Sequence, residues 1–542
     1  MICDRFIQPG DAGQRFTLKA PQNFNFGFDV VDELADRDPS ALALLHVDSE
    51  GLGRRFTFGD IRKQSARIAN LLGRLGLKKG DKALLIMRRC HQYWPVSVAL
   101  CKLGAVMVPA TAQLCAHDIS YRCNAASVKM IICANDPSIL ASVEQALPDC
   151  STVTTLLLAG GSRSGWLDLS QMALCESPTF PRPLGAQAAK AGDPMLIYFT
   201  SGTTGFPKMA IHDFRYPLGH IATARYWQAN RPGGLHFTIS DTGWAKAGWG
   251  KLYGQWLCET AVFAYDFDRF EPAKILEMLQ THRVTTFCAP PTMYRMMTQN
   301  GLAASYDLGA LTHCCSAGEP LSPEVFEDWR RQTGFSIREG FGQSETTCCL
   351  ATLPAMALRP GAMGRPMPGY RIALLDEAGR PCKIGEQGEI CIRTDKKRPL
   401  GLAMRYYRDE LATARAWYGG YYHTGDVAWM DKEGYYWYVG RKDDLIKSSG
   451  YRIGPFEVES ALLEHAAVLE AAITGVPDPI RGQVVKATIV LKAGYTASDS
   501  LKKELQDHVK RVTAPYKYPR LIDFAQSLPK TASGKIRRAA LR

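Results

Sequence analysis

One segment, MLIYFTSGTTGFPKMAIH at residues 195–212, constrains the fold of this chain more than any other. Its apolar start, Met195 to Phe199, predicts a strand, and a second strand pattern begins after Lys208. Between them lie two glycines, four hydroxyl side chains and a lysine. Glycines let a backbone turn closely around an anion, and hydroxyls, N–H groups and lysine bind phosphate oxygens. The segment therefore predicts a triphosphate-binding loop between two strands.

This loop has two other interpretations. Serine, threonine and glycine are common in ordinary surface turns, and most such stretches bind nothing. The nucleotide-binding P-loop has the spacing G-x-x-x-x-G-K followed by Ser or Thr, and it opens a helix. Here the spacing is G-x-x-G-x-x-K, and a strand pattern follows. The spacing excludes a P-loop.

Length and composition indicate a soluble globular protein of two or more domains. The chain has 542 residues, with 46% hydrophobic and 22% charged side chains. No run of about 18 apolar residues occurs, so a membrane span is not expected. The N-terminus, MICDRFIQPGDAGQRF, lacks the pattern of a secretory signal or a transit peptide. The expected location is the cytoplasm.

The cysteines and the net charge do not by themselves identify the class of ligand. The sixteen cysteines are scattered without any CxxC pair, which disfavours a zinc site of the usual spacing and predicts reduced thiols, mostly in the core. The net charge of +12 suits nucleic acid, but Lys and Arg are dispersed. A polyanionic small molecule explains the charge equally well.

The order of predicted elements indicates an α/β fold class with a large and a small domain. Helix and strand patterns alternate through the first 200 residues, which predicts parallel sheets covered on both faces in a large multi-layer α/β N-terminal domain, residues 1–441. A charged link at 442–444 follows. Residues 445–542 have their own helix and strand patterns and predict a small, mobile α+β domain that rotates about this link.

Four further motifs follow the loop. They are REGFGQSET at 338–346, YHTGD at 422–426, GRKDDLIKSSGYR at 440–452 and PKTASGKIRR at 529–538. Each motif alone is compatible with a charged surface loop. Together with the loop, in this order, they resemble the adenylate-forming superfamily over nearly the whole chain. The start FNFGFDVVDELA and the SDTGW segment at 240–244 resemble its medium-chain acyl-CoA synthetases.

The resemblance implies a role for each motif. ATP contacts fall on the loop, on the 339–346 motif, on Asp426 and Arg441 at the ribose, and on Lys535, the expected catalytic lysine. Glu345 is the expected Mg²⁺ ligand, a role that suits a carboxylate oxygen beside a triphosphate. Glu345, Thr200, Lys208 and Lys535 are therefore the expected catalytic residues, and Asp443 is the expected hinge. The ATP-binding set is Thr200, Ser201, Gly202, Thr203, Thr204, Gly205, Phe206, Pro207, Lys208, Glu339, Gly340, Phe341, Gly342, Gln343, Ser344, Thr346, Asp426, Arg441 and Lys535.

Coenzyme A and the acid are assigned by the same resemblance. The expected coenzyme A contacts are Ser449, Gly450, Tyr451 and Arg481, although Arg481 fits a solvent-facing charge equally well. The expected acid contacts are Trp244, Gly318 and Gly342. Acetate-specific enzymes have a Trp where this chain has Gly342, so the pocket should admit a medium-chain, branched or aromatic acid.

The aromatic segment that follows Trp244 has two interpretations. Trp249, Tyr253 and Trp256 have helical spacing, which is typical of a core stripe as well as of an acid pocket. Lys246 and Lys251 are expected to extend to the surface.

The predicted activity is acyl-CoA synthesis from ATP, a carboxylic acid and coenzyme A through an acyl-adenylate, without nucleic-acid partners. An adenylating enzyme with another acceptor, such as an acyl carrier, is the alternative. A luciferase-like oxygenase shares every motif. A non-catalytic nucleotide-binding regulator is a further class, but it has no need of Lys535 or Glu345. The sequence leaves the oligomeric state open.

Overall fold

The computed structural model describes residues 1–9, 16–200, 207–448, 451–479, 481–530 and 536–541. The N-terminal part is built on two large sheets with helices packed against them. No helix in these ranges is long and apolar enough to cross a membrane.

The first large sheet carries the predicted loop between two of its strands. Its middle strands run parallel, whereas the pair that flanks the loop is antiparallel. In spatial order, its described strands are Arg405–Tyr406, Lys208–Asp213, Pro194–Thr200, Val106–Pro109, Lys82–Ile86, Val128–Ala134, Thr155–Ala159 and Leu167–Asp168.

The second large sheet carries the other motifs of the N-terminal part. Its central strands are parallel, and one end is an antiparallel meander. In spatial order, its described strands are Ile372–Leu375, Gly388–Arg393, Tyr421–Met430, Tyr436–Arg441, Ala362–Pro366, Leu350–Ala351, Ile337–Phe341, His313–Ala317, Thr286–Ala289, Leu235–Thr238, Ala261–Tyr265, Leu42–Val47 and Gly53–Thr57, with Trp417–Tyr418 beside Tyr421–Met430.

Two smaller sheets complete the strands of the described ranges. Ile7–Pro9 pairs with Phe16–Leu18. The C-terminal sheet lies over a core of aliphatic side chains, and helices accompany its strands, as the α+β prediction expects. Its strands are Tyr451–Ile453, Ile446–Ser448, Gly482–Leu491, Val468–Asp478 and Leu521–Phe524.

The helices follow from local sequence signals. Phe58–Arg74 begins at a capping box, in which the Thr57 hydroxyl accepts from Asp60 N at 3.1 Å and the Asp60 carboxylate accepts from Thr57 N at 2.9 Å. The described α-helices are Glu33–Arg37, Phe58–Arg74, Tyr93–Leu103, Ala116–Ala126, Pro137–Ala146, Leu169–Leu174, Tyr216–Ile221, Ala245–Gly250, Tyr253–Leu257, Pro272–Thr281, Pro291–Thr298, Pro323–Thr333, Glu410–Ala416, Pro455–Leu463 and Asp499–Val512. Short 3₁₀ or π turns occur at Ile2–Phe6, Gly27–Asp32, Leu147–Asp149, Gly185–Gln187, Ala222–Trp227, Gln299–Ser305, Pro515–Lys517 and Arg538–Ala540.

The predicted α/β class is confirmed. All sixteen cysteines lie in the described ranges, none of them forms a disulfide, and most are buried, as the sequence predicts. The domain bounds at 441 and 445 stay a prediction, although the C-terminal sheet begins at Ile446.

The aromatic stripe does not form one helix. Ala245–Gly250 ends before Lys251, and a new helix begins at Tyr253, because Leu252 has non-helical backbone angles (φ −155°, ψ −76°). Trp249 and Trp256 therefore lie on two separate helices.

Candidate active site

The phosphate-type loop closes a β-hairpin, as predicted. Thr200 and Lys208 are directly opposite each other where the antiparallel strands Pro194–Thr200 and Lys208–Asp213 meet the loop. A strand after the loop agrees with the exclusion of a P-loop. Pro207 is described, and its carbonyl accepts from the Tyr121 hydroxyl at 3.2 Å. The predicted ATP contacts Ser201, Gly202, Thr203, Thr204, Gly205 and Phe206 lie outside the described residues.

Glu345 is a buried carboxyl close to the neck of this hairpin. The Tyr406 hydroxyl donates to its Oε1 at 2.8 Å, and the Lys208 ammonium lies 5.1 Å from the centre of the Tyr406 ring. Burial raises the pKa of Glu345, against the opposing effects of the Tyr406 hydrogen bond and the positive charges of Arg441 and Lys208. The structure thus brings the loop lysine and the predicted metal ligand to one place.

Asp426 is the centre of a second group of polar side chains. The Tyr438 hydroxyl donates to its Oδ1 at 3.0 Å, and Arg441 Nη1 lies 3.3 Å from its Oδ2. Gln343 Nε2 also donates to Oδ2, while Gln343 Oε1 accepts from the Tyr422 hydroxyl at 2.7 Å. Asp426 and Arg441 are opposite each other on antiparallel strands, which explains why motifs fifteen positions apart meet.

The 340–346 motif joins the two groups, because Gln343 contacts Asp426 while Glu345 contacts Tyr406. Its backbone is held from both sides. Thr346 Oγ1 accepts from Gln343 N at 2.9 Å, and the Ser344 carbonyl lies 2.8 Å from the Nε2 of buried His212. Burial lowers the pKa of His212 to about 4, so this ring is neutral at physiological pH. The rings of Phe341 and Tyr438 are 6.3 Å apart.

Glu339 takes part in neither group among the described contacts. Its Oε1 accepts from Leu321 N at 3.4 Å, its Oε2 has no hydrogen-bond partner in the described ranges, and the carboxyl lines a small cavity with Phe326 and Thr352. Burial raises the pKa of Glu339 to about 8.

Its neighbour Gly340 has no room for a side chain, since a Cβ there would lie 2.6 Å from the Trp227 ring.

Gly342 does not border empty space. A Cβ built on it would lie 2.5 Å from the Trp249 ring and 2.5 Å from the Thr347 carbonyl oxygen. The indole of Trp249, which is 5% exposed, takes that space. That the pocket admits acids larger than acetate stays a prediction.

The other two predicted acid contacts are Trp244 and Gly318. Trp244 is close to Trp249 in sequence, and Gly318 follows Ala317, which Lys246 contacts. Trp244 is half-buried and precedes the helix Ala245–Gly250. Gly318 has a left-handed backbone (φ +106°) and no heavy atom within 4 Å of a built Cβ. Lys246 Nζ donates to the Ala317 carbonyl at 2.8 Å, which connects the two segments.

The expectation that Lys251 extends to the surface is wrong. Lys251 is 0% exposed, and its ammonium lies 5.7 Å from the centre of the Phe237 ring without a hydrogen-bond partner in the described part of the chain. Burial and the nearby charge of Arg89 lower its pKa to about 7. The break between the two helices explains the error, because a side chain at this turn points into the core.

Several C-terminal predictions fall outside the described residues. These are Ser449, Gly450 and Lys535. Tyr451 is 50% exposed and stacks on Tyr516 at 4.1 Å. Arg481 is half-buried, and its backbone N donates to Asp478 at 2.8 Å.

The link between the two parts of the chain is nevertheless well defined. Asp443 Oδ1 lies 3.5 Å from Arg441 Nε. Arg538, three positions after Lys535, pairs with Glu459 at 2.7 Å and lies 3.8 Å from Asp444. The C-terminal segment therefore reaches the link at Asp444.

Sequence reasoning missed the two tyrosines that bind the carboxylates. The Tyr406 hydroxyl donates to Glu345, and the Tyr438 hydroxyl donates to Asp426. Tyr438 lies two positions before the motif at 440–452, but Tyr406 comes from a two-residue strand that no pattern predicts. A tyrosine in a strand is usually core, so composition carries no signal for these contacts.

A mostly parallel α/β part with this loop and a buried carboxylate–arginine pair defines a nucleotide-binding enzyme. Residues 31–407 match the AMP-binding enzyme family, and residues 457–535 match the AMP-binding enzyme C-terminal domain. The chain belongs to this family, as the resemblance predicted.

Relatives and solved structures are more specific. The chain is 41% identical to "Acyl-coenzyme A synthetase ACSM3, mitochondrial" of Pongo abelii, over 98% of this chain and 91% of that one. It is 42% identical to "Acyl-coenzyme A synthetase ACSM5, mitochondrial" of Homo sapiens, over 96% and 90%. The crystal structure of the anthranilate CoA ligase AuaEII with anthranoyl-AMP superposes with a TM-score of 0.87 at 27% identity, over 96% and 97%. The protein is accordingly an acid–thiol ligase of the acyl-CoA synthetase class, which uses ATP and coenzyme A.

The expected cytoplasmic location is wrong. The relatives are named as mitochondrial proteins, and this finding contradicts the cytoplasmic expectation. Free thiols fit any reducing compartment, so the cysteine pattern could not distinguish the two.

Proposed function

We propose that this acyl-CoA synthetase activates a medium-chain, branched or aromatic acid at the site formed by the loop neck, the 340–346 motif, Asp426 and Arg441. The observation that carries the proposal is the continuity of the Glu345 and Asp426 groups through Gln343. Support for an adenylate intermediate comes from the anthranoyl-AMP complex of the similar ligase.

In this proposal Asp426 binds the ribose of ATP. Its carboxylate is buried at 5% exposure, and its protein partners, Tyr438, Gln343 and Arg441, are all donors. A nucleotide ribose supplies two hydroxyl donors, and it would take the place of at least one of these protein donors, because a carboxylate has about four lone-pair sites. Arg441 lies 3.3 Å from this carboxylate and would contact the same sugar.

Glu345 is the proposed Mg²⁺ ligand, and its surroundings fit the ion. Mg²⁺ usually binds through one or two carboxylates, with water and phosphate completing its shell. Glu345 belongs to no cluster of three such side chains within the described ranges. Burial raises the pKa of Glu345. A bound cation would oppose this effect and lower the pKa, because it stabilises the negative charge of the carboxylate. When bound, Mg²⁺ supplies positive charge to the phosphate oxygens.

The reaction then has two steps at one carboxyl carbon. The acid carboxylate attacks the α-phosphorus of ATP, which gives acyl-AMP and releases diphosphate. The thiol of coenzyme A next attacks the acyl carbon, loses its proton and expels AMP. Lys208 and the residues of the 200–208 loop hold the phosphates, and Lys535 neutralises charge at the α-phosphate. Rotation about Asp443 exchanges Lys535 for the Ser449, Gly450, Tyr451 and Arg481 coenzyme A contacts.

The acid pocket is proposed to border Trp249. Its ring fills the space beside Gly342, so the acid must pack against an indole rather than enter an empty channel. An apolar or aromatic acid gains most from such a contact. The aromatic acid of the similar ligase supports this class.

Exchange of labelled diphosphate into ATP, measured with a panel of acids, tests the adenylation step. Glu345→Gln should reduce exchange by at least about a hundredfold, in line with loss of a charge that stabilises the transition state. Glu339→Gln is the matched control, because it removes a buried carboxyl from the same motif but away from Lys208 and Arg441. Equal losses in both variants would contradict the assigned site.

Thioester formation tests the acceptor. With an acid that the enzyme accepts, addition of coenzyme A should give the acyl-CoA thioester. If the true acceptor were a carrier protein, acyl-AMP would remain unconsumed when coenzyme A is added. Light emission with oxygen in place of thioester would favour the luciferase-like alternative.

A further inference from the structure

A second cluster of functional side chains lies beside the hinge, outside the proposed ATP site. Glu389 and Cys391 are two positions apart on the strand Gly388–Arg393, on either side of a register shift against the strand Tyr421–Met430. His423 is directly opposite Cys391 on the neighbouring strand. Their ligand atoms all lie within 4.8 Å of one another, the one such cluster found among the described residues.

We propose that Glu389, Cys391 and His423 bind a divalent ion of the zinc class. Carboxylate, thiolate and imidazole are the three ligand types of zinc, and a soft thiolate disfavours Mg²⁺. Three protein ligands leave the fourth tetrahedral position for water.

The spacing of the cluster matches this coordination. His423 Nδ1 lies 3.3 Å from Cys391 Sγ and 3.2 Å from Glu389 Oε2. Zinc bond lengths place tetrahedral N and S ligands about 3.6 Å apart and N and O ligands about 3.4 Å apart. The third pair, Cys391 Sγ and a Glu389 carboxylate oxygen, lies within 4.8 Å, and a tetrahedral S and O pair is also about 3.6 Å apart. This pair therefore has to close by at most about 1.2 Å to admit the ion.

The cluster already contains a positive charge that belongs to the chain. The Lys442 ammonium donates to Glu389 Oε2 at 3.0 Å, and its side chain is 53% exposed. Hydrogen bonds from His423 and Lys442 lower the pKa of Glu389 to about 2 in spite of burial. A zinc ion would displace this half-exposed ammonium from Glu389. It would also displace the thiol proton of Cys391, which passes to solvent.

The surroundings hold the ligands in place. The Tyr418 ring stacks on His423 at 3.7 Å, and the second oxygen of Glu389 accepts from Gly425 N at 3.0 Å. Gly425 precedes Asp426, and Lys442 follows Arg441 in the link. Metal binding would thus act on residues adjacent to the ATP site.

Zinc titration of metal-stripped full-length protein against a chromophoric chelator tests the site. The wild type should bind one Zn²⁺ that Cys391→Ser and His423→Gln each weaken by at least about tenfold. Cys175→Ser, at an exposed thiol elsewhere, is the matched control and should change nothing. Co²⁺ should give a thiolate charge-transfer absorption that disappears in Cys391→Ser.

Lys442→Met keeps the test decisive if a buried variant misfolds, because Lys442 is half exposed. This change removes the competing ammonium and should tighten zinc binding severalfold. Weaker binding, or an affinity equal to that of the wild type, would overturn the proposed displacement. Equal zinc affinity in the wild type and Cys391→Ser would overturn the site itself.

Discussion

Gly342→Ala is the sharpest test of how the acid pocket is built. The added methyl would lie 2.5 Å from Trp249 Cη2 and 2.5 Å from the Thr347 carbonyl oxygen. Carbon atoms in favourable contact are about 3.5–4.0 Å apart, so the overlap is about 1 Å on each side. The Thr347 oxygen is backbone, and the relief must come mainly from movement of the indole.

The magnitude follows from this geometry. Overpacking of this kind costs about 1–3 kcal/mol. If the indole moves toward the bound acid, kcat/KM for a bulky acid falls by about 5- to 150-fold, because 1.4 kcal/mol corresponds to a factor of ten. A small acid that does not reach the indole should lose less.

A double-mutant cycle with Trp249→Leu separates the two clashes. In the Trp249→Leu background the indole is absent, and Gly342→Ala should cost at least about 1 kcal/mol less in kcat/KM. The rescue should be partial, since the Thr347 carbonyl remains. The assay is thioester formation across acids of increasing size.

Additive losses in this cycle would refute the reasoning, as would equal losses for small and bulky acids. Gly53→Ala is the control for a neutral glycine substitution. No heavy atom lies within 4 Å of a Cβ at that position.

Three further substitutions test the buried charges. Burial raises the pKa of Glu339 to about 8, so between about pH 4.5 and 8 the unfolded chain binds fewer protons than the native chain. The free energy of unfolding therefore falls as pH rises through this range. Glu339→Gln should flatten that slope, measured by urea unfolding. Burial lowers the pKa of Lys251 to about 7, so between about pH 7 and 10.5 the unfolded chain binds more protons than the native chain. The free energy of unfolding therefore rises with pH through this range. Lys251→Met should remove this rise and stabilise the protein at pH 7. An unchanged slope in either variant contradicts the burial argument. Asp426→Asn should raise KM for ATP by about 10- to 100-fold, given about 1.5–3 kcal/mol for hydrogen bonds to a charged group, and an unchanged KM would count against ribose binding.

Local patterns predicted the elements that local physics controls. The hairpin around the 200–208 loop follows from two apolar runs separated by glycines and hydroxyls. The helix Phe58–Arg74 and the amphipathic helix Asp499–Val512 follow from caps and periodicity. These features depend on neighbours in sequence, and a single chain contains that information.

The sequence also predicted which residues join the site, but through resemblance rather than geometry. Motif order identified Glu345, Asp426 and Arg441 without any distance between them. The tyrosine that binds Glu345, Tyr406, is 61 positions away and reaches it from another sheet. No local pattern distinguishes it from a core tyrosine.

By itself, then, the sequence determined the fold class, the family and the chemistry, because strand and helix periods, turn residues and the order of motifs are written along the chain. Tertiary structure alone decided that Trp249 fills the space beside Gly342, that Lys251 is buried, and that the Glu339 carboxyl lines a small cavity. The physical reason is that burial and contact depend on which distant surfaces pack together. Residues far apart in sequence determine those surfaces.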